Sequence, residues 1–181
     1  MRGIKTISEK SVFQAELFTV REIEIELNKK KHIQYDVIKN PVVAVFALDN
    51  NNEIYLISQY RRLLDRTTIE AVAGFIDKGE TPLEAAKREL KEEIGVTATD
   101  WMELKVLNTA GSVVKGQTTL FLARGLTIGI PEPEDDEDIT KVLIPFEKAV
   151  EKVLKGEIDI AATVAGILLI DKLIQENKLK K

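Results

Sequence analysis

Three glutamates spaced for one side of a helix are the residues of this sequence best suited to chemistry. Glu89, Glu92 and Glu93 lie three or four positions apart or side by side, so a helix would bring them together on one arc. Carboxylates this close repel one another unless a cation neutralises them, and oxygen-only ligands favour a hard divalent ion, Mg²⁺ or Mn²⁺. The same residues also fit a solvated acidic helix face with Arg88 and nearby lysines as partners.

The helix that would carry these glutamates has local signals at both ends. Thr81 suits the N-cap, Pro82 suits the first helical position, and Glu84 completes a capping box. Gly95 is the expected end of the helix. At about 100° per residue, an apolar stripe forms beside the acidic arc. Its members are Leu83, Ala86, Leu90 and Ile94.

The composition sets bounds on the class of protein. A chain of 181 residues that is 44% hydrophobic has enough apolar material for one packed core. The net charge of −4 argues against nonspecific binding to nucleic acid or to anionic membranes. The absence of cysteine fits a reducing compartment, and the longest apolar run, Ile160–Ile170, is too short to span a bilayer. We therefore expect a cytoplasmic protein with no nucleic-acid or membrane partner.

Alternation and apolar runs predict the elements around the helix. Phe18–Leu27 and His32–Ile38 alternate as half-buried strands do, and the polar residues 28–31 between them indicate a hairpin turn. Val42–Leu48 is an apolar run typical of a central strand. Four predicted strands and two predicted helices complete the chain. The four strands are Ile54–Gln59, the short run that leads into Gly74, Trp101–Leu107 and Thr118–Ala123. The two helices are 147–154 and 161–178.

The whole stretch from Gly74 to Val96 resembles the Nudix box. That motif reads G-x5-E-x7-R-E-U-x-E-E-x-G-U, where U is aliphatic, and the sequence matches it at every fixed position. The matching residues are Gly74, Glu80, Arg88, Glu89, Leu90, Glu92, Glu93, Gly95 and Val96. A match over nine positions favours the metal-binding interpretation over the solvated face. The resemblance implies a hydrolase that cleaves nucleoside diphosphates linked to another group.

The resemblance also implies a role for each residue of the motif. Glu89 and Glu93 correspond to metal ligands, with Glu92 as a third candidate and the carbonyl of Ala73 as a further ligand. Glu92 and Glu93 are also candidate catalytic residues. Arg88 corresponds to the residue that orients the glutamates. The other structural positions of the motif are Gly74, Glu80 and Gly95.

The segments on either side of the box resemble the ADP-ribose pyrophosphatase group. Residues 56–62 and 69–74 look like the run that leads into the box in that group, which implies that Arg61 contacts the substrate diphosphate and that Glu70 belongs to the substrate site. Past the box the group carries Ser-Pro-Gly, whereas this chain has Ala110-Gly111-Ser112. Gly111 and Ser112 are therefore predicted to bind substrate, although the marker proline is missing.

The acidic segment at residues 131–138 resembles the catalytic loop of the same group. Glu137 corresponds to a metal-contacting glutamate. The general base of the group falls on Asp135, which is one methylene shorter than the usual glutamate, and Glu134 is the alternative base. If neither serves, Glu92 is the remaining candidate.

Taken together, the resemblance implies an α/β (α+β) fold, the Nudix α/β/α sandwich with a mixed sheet. Residues 1–40 would form a β extension that makes a homodimer, and residues 41–181 would form the hydrolase domain. The expected reaction, with Mg²⁺ or Mn²⁺ as cofactor, converts ADP-ribose to AMP and ribose 5-phosphate. Alternative substrates are a nucleoside diphosphate-hexose or a dinucleotide, and the alternative class is a nucleotide-sensing module without turnover.

Overall fold

The computed structural model describes residues 3–132 and 138–179, and these residues form eleven strands and three helices. In chain order the elements are β1 (Lys5–Gln14), β2 (Phe18–Leu27), β3 (Lys30–Lys39), β4 (Val42–Leu48), β5 (Glu53–Arg61), β6 (Arg66–Glu70), β7 (Val72–Phe75), α1 (Pro82–Ile94), β8 (Val96–Asn108), β9 (Val114–Lys115), β10 (Gln117–Ile128), β11 (Ile139–Pro145), α2 (Phe146–Leu154) and α3 (Ala161–Gln175). The chain divides into two compact units. One, the N-terminal unit, comprises Met1–Pro41 and Asn108–Gln117; the other, the larger unit, comprises Val42–Leu107 and Thr118–Lys181.

The N-terminal unit is built on a sheet of order β1-β2-β3-β9. The predicted hairpin between β2 and β3 is confirmed, but its turn has two residues rather than the four expected, because Leu27 already pairs with Lys30. Asn28 and Lys29 both have positive φ, 54° and 62°, as the tightest common hairpin turn requires. Strand β1 was not predicted: all ten of its residues are exposed, so it has no buried face to produce an alternating pattern.

The larger unit contains a mixed sheet of order β11-β5-β4-β10-β8, with β6 paired to β5 and β7 paired to β4. Strand β4 is central and has the predicted bounds. It runs parallel to β10 and antiparallel to β5 and β7. The antiparallel pairing with β7 places Ala73 opposite Ala44 and Gly74 opposite Val43, so the start of the Nudix-box stretch lies at the N-terminal end of the central strand.

Helices cover both faces of this sheet, as the alternation along β4 shows. Val43, Val45 and Ala47 belong to a buried cluster that includes apolar residues of α1. Ala44, Phe46 and Leu48 point the other way and belong to a second cluster with residues of α2 and α3. Two buried faces explain why β4 reads as a continuous apolar run. The predicted α/β/α sandwich is confirmed.

Helix α3, predicted at 161–178, includes all of the longest apolar run, Ile160–Ile170, except its first residue, which is the N-cap. Ile167 and Ile170 are fully buried, and Gly166 lies so close to the Phe46 ring that a Cβ there would overlap it. Among the described residues, no helix is both long and apolar enough to cross a membrane.

Candidate active site

Helix α1 begins and ends where its sequence signals predict. The Thr81 side chain accepts a hydrogen bond from the Glu84 backbone N–H, and the Glu84 carboxylate accepts one from the Thr81 N–H, so the capping box is complete. Pro82 occupies the first turn, and Gly95 ends the helix in the left-handed conformation with φ of 67°. Because both ends are specified locally, the register of the acidic residues along the helix is well defined.

The three glutamates of the arc are buried to different degrees. Glu89 and Glu93 are only 8% and 5% exposed, whereas Glu92 lies at the rim with a third of its side chain exposed. Full burial of a carboxylate is costly unless charged or hydrogen-bonding groups surround it. Two buried carboxylates on one helix face therefore require a local source of positive charge.

Arg88 supplies part of that charge by binding several of the motif's oxygens at once. Its Nε and Nη2 donate to the two carboxylate oxygens of Glu80 over 3.0 and 3.1 Å. Its Nη1 donates to Glu89 Oε1 over 2.7 Å and to Glu92 Oε2 over 3.1 Å, and Nη2 also donates to the Phe75 carbonyl over 2.9 Å. The planar guanidinium suits this multiple contact, and the bond to Glu80, followed by those to Glu89 and Glu92, raises the pKa of Arg88 despite its partial burial.

Glu80 links this network to the loop between β7 and α1. Its carboxylate accepts the backbone N–H of Asp77 over 3.1 Å, and its own N–H donates to the Asp77 carbonyl over 3.0 Å. The hydrogen bonds from Arg88 are the main reason that the pKa of Glu80 lies below its ordinary value. The loop that leads into the helix is thus held by the same residue that anchors Arg88.

Gly74 is required because the Glu89 carboxylate lies directly against strand β7. A Cβ built on Gly74 would overlap the carboxylate of Glu89. Glycine therefore lets the helix approach the strand closely at the point where the buried carboxylate is. Ala73, the predicted carbonyl ligand, is the neighbouring residue in the same strand.

Arg61 and Glu70, both predicted to belong to the substrate site, form a bidentate ion pair. Arg61 Nε donates to Glu70 Oε1 and Nη2 donates to Oε2, each over 2.7 Å. Glu70 is 4% exposed, and the buried Thr68 hydroxyl bonds the same carboxylate. Burial alone would raise the pKa of Glu70, but the hydrogen bonds from Arg61 and Thr68 outweigh that effect and hold the pKa below its ordinary value. Thr68 was not predicted as part of this site, although its position two residues before Glu70 on a strand places both side chains on one face.

The remaining predicted residues belong to the N-terminal unit or are not described. Gly111 and Ser112 are exposed in the N-terminal unit, where they line a small cavity of about 240 Å³ with Asp36 and Lys115. Glu134, Asp135 and Glu137 fall outside the residues that the structure describes.

The carboxylates of the arc suit a divalent cation in chemical type. All are oxygen donors, as Mg²⁺ and Mn²⁺ prefer, and two of them are already desolvated. Glu89 and Glu92 are oriented toward Arg88, and within residues 3–132 and 138–179 no three acidic, histidine or cysteine side chains are grouped as a ready ion-binding cluster. The oxygen ligands therefore fit the ion. To bind it, Glu89 and Glu92 would have to replace their hydrogen bonds from Arg88 with bonds to the ion.

Comparison with known proteins decides the family. A family model described as NUDIX domain matches residues 38–164, which include the complete box. The chain belongs to the Nudix family. It is thus a Nudix hydrolase, as the resemblance of the box predicted.

This Nudix protein is similar to relatives along most of its length. It is 33% identical over 170 residues to an ADP-ribose pyrophosphatase of Mycobacterium tuberculosis, covering 92% of this chain and 82% of the relative. It is 30% identical over 179 residues to an ADP-ribose pyrophosphatase of Bacillus subtilis, covering 96% and 97%. The crystal structure of an ADP compounds hydrolase aligns with a TM-score of 0.83 and 25% identity over 97% of both chains.

The pair of Arg61 and Glu70 generates a prediction about stability. A depressed carboxyl pKa contributes stability that is fully present above the ordinary value of 4.5 and is lost as pH falls through the folded-state value. We expect Glu70→Gln to lower the free energy of unfolding at pH 7 by about 1.5–3 kcal/mol, the range for hydrogen bonds to charged groups. Urea unfolding at pH 7 and at progressively lower pH measures the difference, which should shrink below about pH 4.5.

The matched control is Glu103→Gln, which neutralises an exposed glutamate of the same unit. It should change the unfolding free energy by less than about 0.5 kcal/mol. A destabilisation by Glu70→Gln that is independent of pH, or equal to that of the control, would contradict the assigned ion pair.

Proposed function

We propose that this Nudix hydrolase cleaves the diphosphate of nucleoside diphosphate sugars, with ADP-ribose as substrate and AMP and ribose 5-phosphate as products. The observation that carries the proposal is the carboxylate arc of Glu89, Glu92 and Glu93, held by Arg88 against a strand whose Gly74 leaves room for it. The names of the two bacterial ADP-ribose pyrophosphatases support the choice of substrate.

A divalent metal, Mg²⁺ or Mn²⁺, is the proposed cofactor, with Glu89, Glu92 and Glu93 as its side-chain ligands and the Ala73 carbonyl as a further donor. When bound, such an ion offsets the charge of the diphosphate and makes water more acidic. A cation is needed at the site because the substrate is a polyanion and the protein is also negative, with a net charge of −4 and several carboxylates close together there.

Residues of the chain would bind the substrate and handle the proton. Arg61 would bind the diphosphate with Glu70 orienting its guanidinium, and Gly111 and Ser112 would contact the sugar-nucleotide. A water oxygen attacks one phosphorus, the bond to the bridging oxygen breaks, and the proton of the water passes to a general base. We assign that base to Asp135, with Glu134 as the alternative, and we assign Glu137 to the metal.

A second candidate is a broader activity on ADP-linked compounds other than ADP-ribose. It is favoured by the absence of the marker proline at Ala110-Gly111-Ser112 and by the likeness to a structure described as an ADP compounds hydrolase. The products separate the candidates, because an ADP-hexose yields AMP and a hexose phosphate, and a dinucleotide yields two mononucleotides.

We expect the purified protein to convert ADP-ribose to AMP and ribose 5-phosphate with Mg²⁺ present, and to lose activity when EDTA removes the ion. Mass spectrometry of the products, over a panel of ADP-ribose, ADP-hexoses and dinucleotides, is the measurement. Faster cleavage of an ADP-hexose or a dinucleotide would show that this compound, and not ADP-ribose, is the preferred substrate. Nucleotide binding without any product would contradict catalysis.

Glu93→Gln is the control for the site of this activity, because it keeps the shape of the side chain and removes its charge. Its kcat should fall by orders of magnitude while the circular dichroism spectrum stays that of the parent. Near-normal turnover by this variant with Mg²⁺ would rule out the assigned ligands.

Arg61 and Arg62 form a matched pair of adjacent arginines that differ in environment. Arg61 is half-buried and bonds Glu70, whereas Arg62 is exposed. We expect Arg61→Ala to raise KM for ADP-ribose by a factor equivalent to about 1.5–3 kcal/mol, since it removes a charge-assisted hydrogen bond. Arg62→Ala should change KM much less. Steady-state kinetics decide the assignment, and the opposite ranking would move the diphosphate contact to Arg62.

The N-terminal unit is the proposed homodimer surface. Among the residues that the structure describes, strand β1 is fully exposed and pairs only with β2. Large apolar side chains such as Phe13, Ile33 and Tyr35 are more than half exposed in this unit. Monomeric proteins rarely leave so much apolar surface in water, and an open strand edge favours pairing with another chain.

Analytical ultracentrifugation should therefore give about twice the chain mass of 20.3 kDa. Phe13→Glu combined with Ile33→Glu should give the monomer mass, because charges on this surface oppose burial. Leu168→Glu, at an exposed apolar residue of the larger unit, is the control and should remain dimeric. A parent protein that sediments as a monomer would contradict the homodimer.

A further inference from the structure

Residues Gly129–Glu132, here called the clamp segment, lie along the last turn of α1. The Gly129 N–H donates to the Gly95 carbonyl over 2.6 Å, and the Glu132 N–H donates to the Glu92 carbonyl over 2.9 Å. The Lys91 ammonium also contacts the Glu132 carboxylate over 3.3 Å. Two backbone hydrogen bonds, between residues 34 and 40 positions apart in the sequence, thus join the clamp segment to the end of the Nudix-box helix.

The bond to Glu92 satisfies a carbonyl that the helix itself leaves open. The last four carbonyls of any helix lack an intrahelical donor. The Gly95 N–H donates to the carbonyls of Leu90 and Lys91. The next carbonyl along the helix, that of Glu92, therefore depends on a donor from outside the helix. The peptide N–H of Glu132 is that donor.

Gly95 makes this close approach sterically feasible. A Cβ at residue 95 would lie 2.5 Å from the Pro131 nitrogen and 2.6 Å from the Ile130 carbonyl carbon, so an alanine there would push the clamp segment away. Gly156, the residue after the C-cap Lys155 of α2, has a similar φ of 75°, but a Cβ there would meet nothing within 4 Å. Gly95 is therefore required by packing as well as by its left-handed backbone, whereas Gly156 is required by its backbone alone.

We infer that the clamp segment is a positioning device for the metal-binding arc. Glu92 and Glu93 both belong to the last turn of α1, and helix ends fray unless something holds them. By bonding the Glu92 carbonyl and packing on Gly95, the clamp segment fixes the turn from which these two carboxylates project. Gly95 and the peptide N–H of Glu132 are positioning groups. This inference rests on the proposed metal-dependent function of Glu92 and Glu93.

The test compares Glu132→Pro with Glu132→Ala in the full chain. Proline removes the N–H that bonds the Glu92 carbonyl, whereas alanine keeps that N–H and removes only the exposed carboxylate. Mn²⁺ affinity without substrate, measured by electron paramagnetic resonance of the free ion, should be about five- to tenfold weaker in the proline variant than in the alanine variant. With ADP-ribose, kcat should fall by a similar factor and KM should stay within about twofold.

Gly95→Ala and Gly156→Ala provide an independent comparison. Both introduce a side chain at a left-handed residue and should lower the melting temperature, but only Gly95→Ala should weaken Mn²⁺ binding and lower kcat. If Gly95→Ala does not fold, the Glu132 pair decides alone. Equal Mn²⁺ affinity and equal kcat in the two Glu132 variants would overturn the inference.

The outcomes also separate this inference from the proposed function. If the parent binds Mn²⁺ but does not cleave ADP-ribose, the proposed function fails and the Mn²⁺ affinities of the Glu132 variants still decide whether the clamp segment positions the arc. If the parent binds no Mn²⁺, both the proposed function and this inference fail, because there is then no bound ion for the last turn of α1 to position.

Discussion

The contact of one guanidinium with three carboxylates is the interaction on which the rest of the site depends. Arg88 bonds Glu80, Glu89 and Glu92, together with the Phe75 carbonyl, and thereby connects the helix, the loop before it and strand β7. Without that positive charge, like charges would be crowded into a largely dry region, and removing one partner of a buried ion pair typically costs several kcal/mol. The same contact brings together carboxylates that suit a divalent ion, so the interaction that stabilises the fold also prepares the chemistry.

Several sequence features follow from the need to keep this arc close to the sheet. Gly74 allows the Glu89 carboxylate to lie against β7, and Gly95 allows the Gly129–Glu132 segment to lie against the end of α1. The capping box sets where the helix starts, and so which residues face the strand. The two glycines meet different requirements: one makes room for a carboxylate, and the other makes room for a backbone that supplies a missing hydrogen-bond donor.

Elements specified by nearby residues were predictable from the sequence, and contacts that depend on distant residues were not. Helix α1 was predicted to the residue because its caps and apolar stripe lie within one short segment, and β4 was predicted because both its faces are buried. Strand β1 gave no signal since both its faces are exposed. The resemblance to the Nudix box indicated Arg88 as the orienting residue. The register of β5 with β6 places Arg61 opposite Arg66 and Glu70 opposite Ile57, so the Arg61 side chain extends along the ladder to reach Glu70. The contact of Glu132 with Glu92 joins residues forty positions apart. No periodicity within one element specifies such pairings.

A crystal structure with Mn²⁺ shows whether the arc held by Arg88 binds the catalytic ion. Anomalous diffraction at the manganese absorption edge locates the ion without reference to activity. We expect a manganese peak whose coordination sphere includes carboxylate oxygens from at least two of Glu89, Glu92 and Glu93, while Arg88 keeps its contact with Glu80. A manganese peak elsewhere in crystals of an active, Mn²⁺-saturated protein, with the three glutamates still bound only by protein groups, would contradict it.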